Sequence, residues 1–208
     1  MKIVLLGAPG SGKGTQASLI ADKYNLPHIS TGDIFRKITK SGTPLGNMIK
    51  QLIDEGNMCS DELTVEIVKE RLSAEDCVNG FILDGFPRDI KQAEALEKFC
   101  KVDIVIDLAI DLSKIERRLT GRRNCALCRK SFHVDHLIDI KTCPHCGGEL
   151  VVRKDDNLEA IEERLKIFKE VTAPLIGYYQ DKGILTVING DNDVQSVFEE
   201  IVKVLGKL

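Results

Sequence analysis

Hydrophobic positions along the chain fall into two rhythms. Residues 2–7, Lys-Ile-Val-Leu-Leu-Gly, form a short β-branched run that is apolar on both faces, the pattern of a buried parallel strand. Runs of similar character recur near 81–83, 102–108 and 184–188, and His28–Ser30 supplies a shorter one. After the first run, Ala17, Leu19, Ile20 and Tyr24 return at helical spacing, and longer helical patterns cover residues 158–179 and 194–205. Strands alternating with helices predict an α/β fold, a parallel sheet covered by helices on both faces. Pro174 predicts a kink in the first of the two C-terminal helical patterns.

Two stretches interrupt the alternation. Residues 31–58 read as two or three helices broken at Ser41-Gly42-Thr43-Pro44 and at Gly56-Asn57. Residues 122–156 hold a cysteine cluster, three of the four histidines and alternating runs such as Leu150-Val151-Val152. Both read as insertions on one core, which divides the chain into a core of 1–29, 60–121 and 157–208, a helical insertion at 30–59 and a second insertion at 122–156. No internal repeat or low-complexity segment interrupts this plan.

Composition narrows the class. A chain of 208 residues, 43% hydrophobic and 29% charged, can bury the core of one globular domain and is neither disordered, collagenous nor a coiled coil. With 29 Lys and Arg against 32 Asp and Glu, a net charge of -3, no Trp and three Tyr, no basic aromatic face for nucleic acid is expected. No apolar run approaches the ~20 residues of a membrane-spanning helix, so no membrane partner is expected. Met1 leads straight into a strand pattern without a signal-peptide layout, which predicts a cytoplasmic protein in a reducing compartment. Seven cysteines cannot all pair within one chain.

Chemistry enters with Gly7-Ala-Pro-Gly10-Ser11-Gly12-Lys13-Gly14-Thr15, close to the phosphate-loop pattern Gly-x4-Gly-Lys-[Ser/Thr] but with Gly14 in the Ser/Thr place and Thr15 one residue later. Glycines let backbone N–H groups converge on phosphate oxygens, and the following helix N-terminus adds a positive dipole end. Lys13 then reaches the outer phosphates, and Thr15 or Ser11 offers a hydroxyl to phosphate or to the shell of Mg²⁺. The competing reading is a glycine-rich turn without a ligand. The run Phe81-Ile-Leu-Asp84 ends a strand in a carboxylate, which suits an acidic group beside a phosphate loop that orients Mg²⁺ or its waters, although such strand ends also arise by chance.

Cys125-x2-Cys128 and Cys143-x2-Cys146, fourteen residues apart, make two knuckles whose four thiolates suit a closed, structural Zn²⁺ site. Four reduced thiols or an iron–sulfur cluster are the alternatives. With four cysteines present, His133, His136 and His145 read as surface residues, while Cys59, Cys77 and Cys100 read as partly buried free thiols.

Taken together, Gly7–Thr15, Ser30-Thr31-Gly-Asp33 with Arg36, Asp84-Gly85-Phe86-Pro87-Arg88 with Gln92, Arg118-Leu-Thr-Gly-Arg122-Arg123, Arg153-Lys-Asp-Asp156, and Arg164 with the run from Thr172 to Tyr179 resemble the adenylate kinase family over essentially the whole chain. The resemblance implies the phosphate-loop NTPase three-layer fold with a five-stranded parallel sheet, a helical AMP-binding insertion and a zinc-stabilised lid. It implies reversible Mg²⁺-dependent phosphoryl transfer from ATP to AMP, giving two ADP, by a monomer. By that resemblance Lys13, Asp84, Arg88, Arg122, Arg153 and Arg164 are catalytic. ATP would meet Gly10 to Thr15, Arg118, Arg122, Ser131, Phe132 and Asn192. AMP would meet Thr31, Arg36, Asn57, Met58, Cys59, Gly85, Phe86, Pro87, Arg88, Gln92, Arg153 and Arg164. Asp155 and Asp156 would brace lid arginines, whereas Arg71, Arg117 and Arg129 are expected to be solvated. A kinase for another nucleoside monophosphate, one using GTP as donor, and a nucleotide-dependent nucleic-acid-binding protein remain as alternatives.

Overall fold

The computed structural model describes residues 1–55 and 57–207; Gly56, half of the second expected helix break, lies outside the described residues. The chain runs β1 (Lys2–Leu6), α1 (Lys13–Tyr24), β2 (His28–Ser30) and then two helices, α2 (Thr31–Thr39) and α3 (Pro44–Asp54). After α4 (Asp61–Leu72) come β3 (Phe81–Asp84), α5 (Ile90–Glu97), β4 (Ile104–Ala109) and α6 (Ile115–Thr120). The second interruption holds β5 (Arg122–Cys125), β6 (Ser131–His133) and β7 (Leu150–Val151), followed by α7 (Leu158–Ile167), α8 (Pro174–Asp181), β8 (Leu185–Asn189) and α9 (Val194–Leu205).

The main sheet is five-stranded and parallel, in the order β2-β3-β1-β4-β8. Alternation along β1 explains why both faces need cover. Val4 and Leu6 enter one core with Leu83, Phe86, Val105 and Tyr179, while Ile3 and Leu5 enter the other with Ile20, Ile82, Ile106 and Ile201. The first face is closed by α4, α5 and α8, the second by α1 and α9. The chain passes from β1 through α1 to β2 on one side, returns through β3 beside β1 and then crosses to β4 on the other side, so the strand order reverses at β1, whose carboxyl end is where α/β folds bind ligands.

Local chemistry sets the helix starts. Ser30, Thr43, Ser60, Asp89 and Asn157 each accept a backbone N–H of the helix that follows, worth about 1 kcal/mol apiece. At the position of the expected kink the helix is interrupted: Ala173 N–H bonds Phe168 O at 2.8 Å, a π turn over Phe168–Thr172, and Pro174 occupies the first turn of α8, a position that tolerates its missing N–H. The second insertion is a small antiparallel sheet, β6-β5-β7.

Burial separates central from edge strands sharply. Ile106→Ala on β4, where the side chain is 0% exposed, should cost about 2–5 kcal/mol in urea unfolding, against roughly 0.5 kcal/mol or less for Val187→Ala on the edge strand, where it is 53% exposed. Similar losses at both positions would contradict this layering.

Candidate active site

The loop after β1 turns on glycines. At Gly7, with φ +136°, a Cβ would lie 2.7 Å from Ser11 Oγ and 2.8 Å from Leu108 O, so no other residue fits without displacement. Lys13 folds over this cradle, donating to Gly7 O at 2.7 Å and Ala8 O at 2.9 Å. Burial pulls its ammonium down to about 8, against the attraction of Asp84.

Asp84 ends β3 directly beside β1, in register with Leu5 and Ser30. Burial would raise its carboxyl, but the hydrogen bond from His28 Nε2 at 3.2 Å and the charges of His28 and Lys13 hold it below the usual range. A Cβ at Gly14 would meet Asp84 Oδ2 at 3.5 Å, so the carboxylate lies where the motif usually carries a hydroxyl side chain. The hard oxygen donors gathered here, Asp84 with the half-buried Thr15, suit Mg²⁺.

On the other side of the crevice, Thr31 Oγ1 donates to Gly85 O at 2.8 Å and Arg88 Nε donates to the same oxygen at 2.9 Å. Arg36 pairs with Asp33. Gln92 is buried, with Nε2 donating to Asp61 Oδ1 at 2.8 Å and Oε1 accepting from Arg88 N at 2.9 Å.

The second insertion contributes at its base. Arg122 binds Asp156 through both oxygens at 2.8 and 2.5 Å, and Arg164 reaches Asp155 O at 2.9 Å, Asp155 Oδ2 at 3.1 Å and Asp156 Oδ1 at 3.3 Å. Burial would push the Asp155 carboxyl up, but Arg164, Arg153 and Arg122 hold it below its ordinary range. Burial and the neighbouring Arg122 and Arg36 pull Arg153 down to about 9, and burial with crowding also lowers Arg88 and Arg164. Guanidinium does not surrender its proton in proteins, so this crowding is a demand for anions. Arg118 donates to Gly190 O at 3.2 Å and Asp191 Oδ1 at 3.2 Å.

Apart from Asp61 and Asp156, these side chains line one cleft of about 1510 Å³, larger than the ~300–1,000 Å³ usual for one small ligand. Ser131, Phe132, Asn192, Asn57, Met58, Cys59, Gly85 and Pro87 also border it. Phe86 does not: its ring is fully buried in the core against the sheet. Phe132 has a double position, bordering the cleft and packing against the core of the insertion. Arg71 and Arg117 form surface pairs with Asp76 and Asp135 as expected, though Arg117 and Arg129 edge the cleft. His28 and Asp61 were missed; a histidine at the start of a strand and an acid in the first turn of a helix carry no distinguishing sequence signal.

The sequence model of one family, described as "Adenylate kinase", matches residues 5–184. The chain belongs to the adenylate kinase family. An adenylate kinase of Clostridium tetani is 50% identical over the full length of both chains. Adenylate kinases of Caldicellulosiruptor bescii and of a Geobacillus species are each 47% identical, the first over 99% of both chains and the second over all of both.

In this adenylate kinase chain the four knuckle sulfurs lie within 4.8 Å of one another, with Cys125 Sγ 3.4 Å from Cys146 Sγ and Cys128 Sγ 3.7 Å from Cys143 Sγ. Those gaps exceed the ~2.05 Å of a disulfide and match the ~3.8 Å edge of a tetrahedron with Zn–S near 2.3 Å. Both knuckles turn alike: the residue after each second cysteine, Arg129 at φ +63° and Gly147 at φ +73°, is left-handed. The cluster therefore fits a structural zinc. Cys59 is half-buried, whereas Cys77 and Cys100 are fully buried rather than partly so, and His133 is half-buried with Nε2 3.1 Å from Arg117 O.

Two tests follow from this geometry. An anion beside Lys13 favours its charged form, so triphosphate binding should take up a proton between about pH 8 and 9 and weaken as pH rises through 8. Calorimetry in buffers of different ionisation enthalpy reads that uptake, and Lys13→Met should abolish it. Separately, Cys143→Ser should lower Tm by roughly 5 °C or more while leaving turnover at low temperature little changed; equal loss of turnover in a folded protein would contradict a purely structural knuckle.

Proposed function

We propose that this chain catalyses MgATP + AMP ⇌ 2 ADP. The observation that carries the reading is convergence: Lys13, Arg36, Arg88, Arg122, Arg153 and Arg164, each from a different element or loop, meet in one cleft that has a phosphate loop at one end and the Thr31, Arg88 and Gln92 cluster at the other. An acceptor phosphate is already anionic at neutral pH, so no general base is required; the obstacle is repulsion between two polyanions and their alignment. Arginine meets it by bidentate binding with a permanent charge.

The residue roles follow from position. Lys13 and the backbone of Gly10 to Thr15 hold the donor phosphates, and Arg118 with the Gly190–Asn192 backbone and the Ser131–Phe132 edge flanks its base. Arg36 and Arg88 hold the acceptor phosphate, while Thr31, Gln92 and the 57–59 and 85–87 backbone receive its base. Arg122, Arg153 and Arg164 gather around the transferring group, exchanging Asp155 and Asp156 for phosphate oxygens. Magnesium, when bound with ATP, neutralises phosphate charge, and Asp84 and Thr15 are the residues that would hold it or its waters. Zinc would be held by Cys125, Cys128, Cys143 and Cys146 and would only fix the shape of the lid.

In this reading 1–29, 60–121 and 157–208 form the core, 30–59 the AMP-binding insertion and 122–156 the lid, and both insertions close on the substrates to exclude water. The protein acts as a cytoplasmic monomer on small-molecule substrates, without nucleic-acid or membrane partners. Among the described residues no helix is long and apolar enough to cross a membrane.

A coupled assay of ADP formation from ATP with AMP, UMP, CMP and GMP decides the matter. Turnover with AMP far above the others is expected. Preference for another monophosphate, or for GTP as donor, would move the chain to a sister activity, and no ADP with any acceptor would overturn the kinase reading.

A further inference from the structure

Gln92 is held from behind at both ends of its amide. Its Nε2 faces a carboxylate oxygen, Asp61 Oδ1, at 2.8 Å, and its Oε1 faces a backbone donor, Arg88 N–H, at 2.9 Å. A carboxylate accepts only and an N–H donates only. Rotating the amide by 180° would set oxygen against carboxylate and NH₂ against N–H, losing two hydrogen bonds in a buried place and creating two repulsions. The flip state of this amide is therefore fixed by its neighbours. Each end keeps one valence for the cleft, a remaining N–H on Nε2 and a remaining lone pair on Oε1.

Asp61 sits behind Gln92, away from the cleft. It starts α4 behind the Ser60 cap, does not border the cleft, and lies beside Asp89, whose carboxyl is raised by burial and by Asp61 while its Oδ1 accepts Gln92 N–H at 2.8 Å. Two carboxylates from two helices thus grip one glutamine, Asp61 by its side chain and Asp89 by its backbone.

We propose that Asp61 is a specificity-determining positioning residue, which by locking the Gln92 amide makes the acceptor pocket accept a 6-amino purine and reject a 6-oxo purine. A 6-amino purine presents a donor beside a ring acceptor, which a fixed amide pairs twice. A 6-oxo purine presents the carbonyl where the amino group was, and on the six-membered ring edge an N–H beside it. Only the flipped amide pairs with that edge, and the lock forbids the flip. Discrimination then comes from a pocket unable to adapt, not from tighter binding of AMP alone. The inference rests on the reading that Gln92 meets the acceptor base.

The test compares AMP with IMP, which differ at this edge, as acceptors with ATP fixed. Asp61→Ala should lower the ratio of kcat/KM for AMP over IMP by about tenfold or more, the worth of one bidentate base contact, through KM for the monophosphate and with KM for ATP unchanged. Glu62→Gln, which removes the neighbouring first-turn charge of α4 without touching Gln92, should leave the ratio at its parent value. Gln92→Ala separates the two levels. If it leaves the ratio unchanged, Gln92 does not read the base and the underlying reading fails. If Gln92→Ala collapses the ratio but Asp61→Ala only lowers Tm, Asp61 merely starts its helix and the lock is overturned. An equal fall with Glu62→Gln would overturn it as well.

Discussion

Everything in the cleft answers to one constraint: two polyanions must be brought end to end, and a protein can do that only by concentrating cations it must keep apart from one another when no anion is present. Lys13, Arg36, Arg88, Arg122, Arg153 and Arg164 all border one cavity. Asp155 and Asp156, both buried, stand among the last three and bind Arg122 and Arg164 through geometry a phosphate group could reproduce. Buried cations without such partners would be costly to hold. The two aspartates therefore keep the arginine set assembled and partnered inside the fold.

The parallel sheet supplies the place. Register across β2, β3 and β1 puts Ser30, Asp84 and Leu5 side by side, so the cap of α2, the acidic strand end and the approach to the phosphate loop come from three neighbouring strands. Short strands buried on both faces leave those ends little freedom. Sites on such ends inherit the rigidity of the core, whereas the groups contributed by the two insertions do not.

Much of this was legible in the sequence, for reasons that differ by residue. Strands with period-free apolar runs and the break at Pro174 act locally, so their consequences appeared where expected. The knuckles were legible because metal geometry demands a spacing. Neighbours in the Asp84–Arg88 motif do not share a face: Gly85 and Pro87 border the cleft while the Phe86 ring between them packs into the core. His28 and Asp61 could not be found, since each works by touching a residue 56 or 31 positions away. A contact of that range leaves no local pattern.

The second insertion shows what a hydrophobic core cannot do at this size. Its buried apolar set is only Cys125, Cys143 and Leu150, with Phe132 and Leu137 partly covered, and Leu127 and Ile138 stay exposed. Two of the three buried members are metal ligands, so the interior of the insertion is largely the cluster itself. Such a unit gains its shape from ligand bonds that are local, directional and indifferent to the surface around them. Arg122 and Asp156 lie at the two ends of this insertion and bind each other. Fixing the knuckles therefore sets the insertion's shape through bonds separate from the Arg122–Asp156 contact that ties its two ends together.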